Sequence, residues 1–147
     1  MEKLNFKTSI NAPKEKVWKV LWDDASYRQW TSAFHEGSYA ETDNWKEGTE
    51  VKFLGPSGEG MISRVAENKP NEYMSFEHLG MIMNGQEDRN SEKAKEFAGA
   101  KENYTLKESN GVTELAIDMD IAEEYRDMFT GMWPKALEKV KALAEKN

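Results

Sequence analysis

Residues of alternating polarity form several stretches along the chain, and alternation with period two is typical of strands that bury one face. The first stretch covers residues 3–10 and places four side chains on a common side, namely Leu4, Phe6, Thr8 and Ile10. Further strands are predicted at residues 38–42, around Val51 and Phe53, at 60–67, at 72–83, around Tyr104 and Leu106, and around Leu115, Ile117 and Met119. The turns between them, such as Ser109-Asn110-Gly111, are too short for parallel crossovers, so we expect an antiparallel sheet.

Helical spacing replaces this alternation in three places. Pro13 ends the first strand and suits the first turn of a helix whose apolar stripe is Val17, Trp18 and Leu21. A second short helix is predicted at residues 24–32. The longest helix is predicted at residues 122–146, with the apolar stripe Tyr125, Met128, Phe129, Met132, Trp133, Ala136, Leu137, Val140, Leu143 and Ala144. Pro134 removes one backbone hydrogen bond there, so we expect a kink between Gly131 and Pro134.

The segment at residues 86–101 is rich in charge and is predicted to be a solvated loop with a helical turn at 91–97. Gating of a cavity mouth is the alternative role for it. The order of elements predicts an α+β fold, with one strand, two short helices, about six more strands and one long helix. A single amphipathic helix cannot cover both faces of an antiparallel sheet of six or seven strands. We therefore expect a curved sheet wrapped around the C-terminal helix.

The composition fits one domain that covers residues 1–147. The chain has 38% hydrophobic, 11% aromatic and 32% charged residues, which is typical of a globular protein. No apolar run approaches the ~18 residues of a membrane helix. The N-terminus, Met1-Glu2-Lys3-Leu4-Asn5-Phe6, lacks the apolar stretch of a secretory signal. We therefore expect a cytoplasmic protein that does not insert into a membrane, and the net charge of -7 disfavours nucleic acid as a partner.

The residue content excludes several kinds of chemistry. The chain has no cysteine, so disulfides, thiolate metal sites and cysteine nucleophiles are excluded. With His35 and His78 as its two histidines, a zinc site would need mostly carboxylates, which is unusual. Neither a phosphate-binding glycine loop nor a G-x-S-x-G nucleophile motif occurs. We therefore predict no metal and no cofactor, and we assign no catalytic residue.

Several short motifs resemble a known family. The opening motif Ile10-Asn11-Ala12-Pro13, followed by Val17-Trp18, Leu21 and Trp30, resembles the START-like superfamily, also called SRPBCC. This superfamily includes the birch-pollen-allergen fold and polyketide cyclases. Its branch of heat-shock-protein-90 ATPase activator homologues is closer still, on the motifs Gly48-Thr49-Glu50-Val51-Lys52-Phe53, Glu102-Asn103-Tyr104-Thr105-Leu106, Gly111-Val112-Thr113-Glu114-Leu115 and Trp133-Pro134-Lys135-Ala136-Leu137. The resemblance implies a helix-grip fold, with a cavity between sheet and C-terminal helix that takes small hydrophobic molecules.

Nine residues are candidates for contact with such a ligand: Phe53, Phe76, His78, Tyr104, Met119, Met128, Phe129, Met132 and Trp133. They come from the predicted strands and the long helix, which form the two sides of the expected cavity. Methionine adapts to irregular shapes and suits a wall that accepts several ligands. Ordinary core filling is the alternative for every apolar member of the set. His78 is the titratable candidate for a general base, and no second catalytic partner is evident from the spacing. A satisfied or surface histidine is the alternative, and it is the preferred interpretation of His78.

Three functions remain open on the sequence. The first is binding of a small hydrophobic molecule, such as a fatty acid, a sterol or a flavonoid. The second is a cyclase- or hydrolase-type enzyme that uses His78 or Tyr104 as the acid or base in the same cavity. The third is implied by the resemblance and is a co-chaperone-like activator, with a heat-shock ATPase as its partner. Binding is preferred over catalysis because no paired catalytic group is visible, and we expect a monomer or a homodimer.

Overall fold

The computed structural model describes residues 2–146 and contains an open, curved antiparallel sheet with a long C-terminal helix, as the sequence predicts. The strands are β1 (Glu2–Ile10), β2 (Tyr39–Thr42), β3 (Glu50–Leu54), β4 (Gly60–Lys69), β5 (Tyr73–Met83), β6 (Gln86–Asp88), β7 (Lys101–Ser109) and β8 (Val112–Ile121). Seven of them follow one path in the order β1-β8-β7-β5-β4-β3-β2. The short β6 pairs with β5 beside this path, so the sheet has one small strand more than predicted.

Two short helices follow β1, and the long helix closes the chain. The helices are α1 (Lys14–Trp22), α2 (Asp24–Thr31), α3 (Glu92–Phe97) and α4 (Arg126–Glu145), and a 3-10 turn at Glu123–Tyr125 precedes α4. α1 begins directly after Pro13, whose missing N–H would have no partner at a helix start. The predicted helices at 24–32, 91–97 and 122–146 are thus present with ends shifted by a few residues. Within residues 2–146, no helix combines the length and the apolar character needed to cross a bilayer.

One stripe of α4 packs against β1, α1 and α2. The buried residues of this stripe follow helical spacing: Trp133, Ala136, Leu137, Val140 and Ala144. Trp133 stacks on Phe6 of β1, with ring centroids 5.9 Å apart. Pro134, where the sequence predicts a kink, lies inside α4, and the helix continues through it as one element. Thr130 and Pro134 are both exposed, so the Thr130 carbonyl that loses its backbone partner remains accessible to water.

The charged segment at residues 86–101 is attached to the sheet, where the sequence predicts a solvated loop. Arg89 donates two hydrogen bonds to the carboxylate of Glu50 on β3, at 2.9 and 3.0 Å. Ala94 of α3 is fully buried. At Gly80 a Cβ atom would lie 2.5 Å from the carbonyl oxygen of Asp88, so glycine is required for the close approach of β6 to β5. An ion pair, a buried alanine and a close backbone contact therefore attach this segment to the sheet.

Candidate functional site

Strand pairing places a carboxyl group on the core face of the sheet. Phe76 of β5 pairs with Glu102 of β7, and Glu102 pairs in turn with Met119 of β8. Directly paired residues project from the same face of a sheet, so Glu102 lies between two buried apolar side chains. Its own side chain is 16% exposed. A carboxyl group in such a position lowers stability unless polar partners satisfy it.

Four side chains form a chain of polar contacts across β4, β5 and β7, which we call the polar row (Ser63, His78, Glu102 and Tyr104). Tyr104 donates its hydroxyl hydrogen to Glu102 Oε2 at 2.5 Å. Glu102 Oε1 lies 3.8 Å from His78 Nε2. His78 Nδ1 lies 2.7 Å from Ser63 Oγ, beside a register shift between Ile62 and Ser63. In the described part of the chain, no three His, Asp or Glu side chains are grouped as ligands for a metal ion.

Burial shifts the pKa values within the polar row. Desolvation lowers the pKa of His78 below its usual value, while Glu102 and Asp120 act in the opposite direction. His78 is therefore neutral at pH 7. The tautomer with its hydrogen on Nε2 directs that hydrogen at Glu102 and lets Nδ1 accept from Ser63. Burial, followed by the charge of Glu102, raises the pKa of Tyr104 well above its usual value, so Tyr104 remains a hydrogen-bond donor.

Aromatic rings surround the polar row. Trp22, at the end of α1, contacts Tyr104 and Phe76, with ring centroids 4.9 and 5.5 Å away. The ring centroid of Trp45, in the loop between β2 and β3, lies 5.9 Å from that of Phe76. Phe53 of β3 lies 5.1 Å from Phe76 in an edge-to-face contact. A few polar groups within apolar and aromatic walls are the usual composition of a small-molecule site.

Trp45 reaches this interior from a strained loop. Asn44 and Trp45 have φ values of 52° and 59°, in the left-handed region that bulky residues rarely adopt. Asn68 Nδ2 donates to the Trp45 carbonyl at 2.8 Å, and Trp45 Nε1 donates to the Trp22 carbonyl at 2.8 Å. Such a backbone conformation typically costs about 1–3 kcal/mol. The loop therefore holds an aromatic ring against the core at a conformational cost.

A surface groove of about 810 Å³ reaches the aromatic cluster from outside, between the α1–α2 junction and β2. It is lined by Trp18, Lys19, Trp22, Asp23, Asp24, Tyr27, Ala40, Glu41, Thr42, Asn44 and Trp45. Trp22 lines the groove and also contacts Phe76 and Tyr104, so it connects the groove with the core face of the sheet. A second hollow, of about 550 Å³, lies between α3 and the start of α4 and is lined by Glu96, Ala122, Glu123 and Glu124.

Five of the nine predicted ligand residues meet in the buried core: Phe76, His78, Tyr104, Met119 and Trp133. Phe53, Phe129 and Met132 are half-buried, and Met128 is 45% exposed in the first turn of α4. Although all nine belong to the described residues, none lines either of the two hollows. Contact of these residues with a ligand therefore stays a prediction.

Sequence reasoning misses four residues of the site: Trp22, Trp45, Ser63 and Glu102. Period-two spacing contains the signal for Glu102, because this residue precedes Tyr104 and Leu106 by two and four positions and so shares their face. To predict that Ser63 contacts His78, the register of β4 on β5 must be known, and this register shifts twice and follows no local pattern. Trp45 stands in a polar turn without apolar periodicity, so no signal marks it.

The curved sheet with its long helix defines the helix-grip class of START-like (SRPBCC) proteins. Residues 11–145 match the family described as Activator of Hsp90 ATPase homolog 1-like protein, and the chain belongs to this family. The resemblance carried by the sequence motifs is therefore confirmed. No curated protein sequence matches the chain.

Solved structures share this fold at low sequence identity. DynU16, a protein in the dynemicin biosynthetic locus, is 15% identical with a TM-score of 0.73; the match covers 99% of this chain and 48% of DynU16, about half its length. The Aha1 dimer from Colwellia psychrerythraea is 18% identical with a TM-score of 0.72, over 99% of this chain and 97% of that chain. Protein CV1439 from Chromobacterium violaceum is 18% identical with a TM-score of 0.71, over 100% of both chains. At such identities the likeness shows the fold alone.

Proposed function

We propose that this protein binds a small hydrophobic ligand between the sheet and α4, around the polar row. The family and the fold support a ligand-binding domain. The observation that carries the proposal is the composition of the interior. Glu102 and Tyr104 form one polar pair among the buried side chains of Trp22, Phe76 and Met119. A site of this kind gains affinity from its apolar walls and orients the ligand through its few polar groups.

Burial of ligand carbon drives this binding, at about 25 cal/mol per Å² before the cost of ordering the ligand and the protein. Aromatic rings fill the interior, so a ligand needs one of them to move. Trp45 is the ring that moves, because its loop holds a left-handed backbone that relaxes when the ring leaves. The groove lined by Trp22 and Trp45 is then the route from solvent.

Tryptophan fluorescence tests the proposal with a panel of fatty acids, sterols and flavonoids. Since Trp22 and Trp45 lie at the site, binding is expected to change the emission in a saturable manner. Phe76→Leu and Tyr104→Phe are expected to weaken binding, whereas Tyr73→Phe, on the other face of β5, serves as the matched control and leaves it unchanged.

Native mass spectrometry of freshly purified protein complements the fluorescence panel. A copurified small molecule supports the proposal and identifies the ligand by its mass. No saturable response across the panel, together with spectra free of any copurified molecule, contradicts the proposal. The same spectra distinguish the monomer from the homodimer, the two states that the sequence leaves open.

General acid–base catalysis is a second candidate, which the contacts of His78 favour. His78 is neutral and buried; its Nδ1 is hydrogen-bonded to Ser63 Oγ at 2.7 Å, and Glu102 Oε1 lies 3.8 Å from its Nε2. A base held between a hydroxyl and a carboxylate is an arrangement suited to proton transfer. His78→Gln keeps a polar side chain towards Ser63 and removes the base. On a panel of ester and cyclisation substrates, this variant is expected to lose turnover and retain ligand binding. Turnover equal to that of the unaltered protein, or no turnover by either, removes this candidate.

A further inference from the structure

The buried indole N–H groups of this protein fall into two kinds. Trp30 Nε1 donates to the carbonyl of Leu21 at 3.2 Å, and Trp45 Nε1 donates to the carbonyl of Trp22 at 2.8 Å. By contrast, Trp22 Nε1 and Trp133 Nε1 are buried without an acceptor among residues 2–146. The side chains are almost entirely enclosed, since Trp22 is 6% and Trp133 is 2% exposed.

Both of these indoles lie beside the same tyrosine of the polar row. The ring centroid of Tyr104 is 4.9 Å from that of Trp22 and 6.0 Å from that of Trp133. The Tyr104 hydroxyl is engaged with Glu102. Buried indole N–H groups usually have an acceptor, because an unpaired donor loses its hydration without compensation. The interior therefore offers two donors, one from α1 and one from α4, that the described chain does not satisfy.

We infer that the ligand bound beside Tyr104 carries a neutral carbonyl oxygen that accepts hydrogen bonds from the indole groups of Trp22 and Trp133. This inference rests on the proposed function and names the chemical class of its ligand, a mostly apolar ketone, ester or lactone. The acceptor reaches the site from outside along the groove, which Trp22 lines.

Neutrality of the ligand follows from the charges around the site. Glu102 accepts the hydrogen bond of Tyr104, and a ligand carboxylate placed beside Tyr104 would meet the like charge of Glu102. Neutral His78 supplies no compensating positive charge. A carbonyl oxygen accepts the same hydrogen bonds without this repulsion.

Three compounds of nearly the same shape test the inference: indane, 1-indanone and indane-1-carboxylate. Their affinities for the full chain are measured by NMR titration. We expect 1-indanone to bind about thirtyfold more tightly than indane, the ratio that two added hydrogen bonds supply. A ketone loses more hydration than a hydrocarbon on burial, so a preference for the ketone requires donors in the site. Indane-1-carboxylate is expected to bind more weakly than 1-indanone.

The indole resonances of the unaltered protein identify the donors. With 1-indanone, the ¹⁵N–¹H signals of Trp22 and Trp133 are expected to move downfield, and with indane they are not. Trp30 already has an acceptor and does not line the groove, so it is the internal control. Trp22→Phe and Trp133→Phe are each expected to reduce the preference for the ketone, whereas Trp30→Phe retains it. If a variant does not fold, the resonance shifts of the unaltered protein decide.

The outcomes separate this inference from the proposed function. Equal affinities of indane and 1-indanone, or indole signals of Trp22 and Trp133 that respond alike to both compounds, overturn the inference and leave the proposed function standing. An affinity for 1-indanone that is lower than the affinity for indane-1-carboxylate also overturns the inference. If none of the three compounds binds, the inference fails, and the fluorescence panel and the native mass spectra decide the proposed function separately.

Discussion

The contact between Tyr104 and Glu102 is open to a quantitative test by substitution. Tyr104 is almost fully buried, and its hydroxyl lies 2.5 Å from Glu102 Oε2. Tyr104→Phe removes the donor and keeps the ring. Glu102→Gln removes the charge and keeps an oxygen acceptor of nearly the same shape. The two substitutions and their combination form a double-mutant cycle that isolates the contact.

The expected magnitude follows from the group that each substitution leaves behind. Tyr104→Phe leaves the Glu102 carboxyl without its donor in apolar surroundings, which is expected to cost about 2 kcal/mol. Glu102→Gln replaces a hydrogen bond to a charged group by a neutral one, at a cost of about 1 kcal/mol. Once the tyrosine hydroxyl is absent, Glu102→Gln removes an unpaired carboxyl and is expected to cost little. The double variant is therefore expected to cost about as much as Tyr104→Phe alone, which gives a coupling energy of about 1 kcal/mol.

Urea unfolding of the four proteins measures this coupling. In a chain of this length, 1 kcal/mol corresponds to a change of about 2–4 °C in Tm, so thermal melts provide an independent check on each single variant. Tyr73→Phe removes a tyrosine hydroxyl from the other face of β5 and is the matched control, expected to cost less than about 0.5 kcal/mol. Costs that add within about 0.3–0.5 kcal/mol would refute the interaction between Tyr104 and Glu102.

Three further predictions concern stability. The pKa of His78 is lowered in the native state, so the unfolded state binds more protons than the native state as the pH falls below about 6.5. The free energy of unfolding is therefore highest above that pH and decreases as the pH is lowered. In His78→Gln, the urea midpoint is expected to change less between pH 7.5 and 5.5 than in the unaltered protein. Gly131→Ala, at an open helical position, is expected to raise the free energy of unfolding by about 0.5–1 kcal/mol. Gly80→Ala is expected to lower it, because the added Cβ would lie 2.5 Å from the β6 backbone. Changes in Tm with the same sign for both variants would contradict these two expectations. Trp45→Phe leaves the Trp22 carbonyl without its donor and is expected to cost about 1–3 kcal/mol in urea unfolding, and a smaller change would mean that this hydrogen bond does not stabilise the loop.

Local periodicity was sufficient to predict the fold because each long element buries one face. Leu115, Ile117 and Met119 are predicted to share a face of a strand, and all three are buried in β8. The apolar spacing of residues 122–146 likewise contains the buried stripe of α4. Met128 has the same spacing and is nevertheless 45% exposed. Periodicity gives the direction of a side chain but not how far the neighbouring elements extend over it.

The candidate site was less predictable because its contacts join distant parts of the chain. The strand pattern places His78 on one face with Phe76, but its partner Ser63 lies fifteen residues earlier, across a register shift. Glu102 approaches His78 from another strand. Trp45 enters the site through a left-handed backbone conformation that apolar spacing does not encode. Such contacts depend on strand register and loop geometry, which a single sequence specifies only through the whole fold.

The features of this fold that lower stability are concentrated in one region, which favours ligand binding over simple core packing. Glu102 is a carboxyl group between apolar residues, two buried indoles beside Tyr104 lack acceptors in the described chain, and Trp45 holds a strained backbone next to Phe76. Replacing buried polar groups by well-packed apolar side chains is often neutral or stabilising. Core packing alone therefore does not explain why the carboxyl group, the two indoles and the strained loop occur together. Departures from local rules are expected at functional sites, where contact with another molecule offsets them. The convergence of three independent departures on Phe76 and Tyr104 therefore supports the proposal that a ligand binds on the core face of β5 and β7.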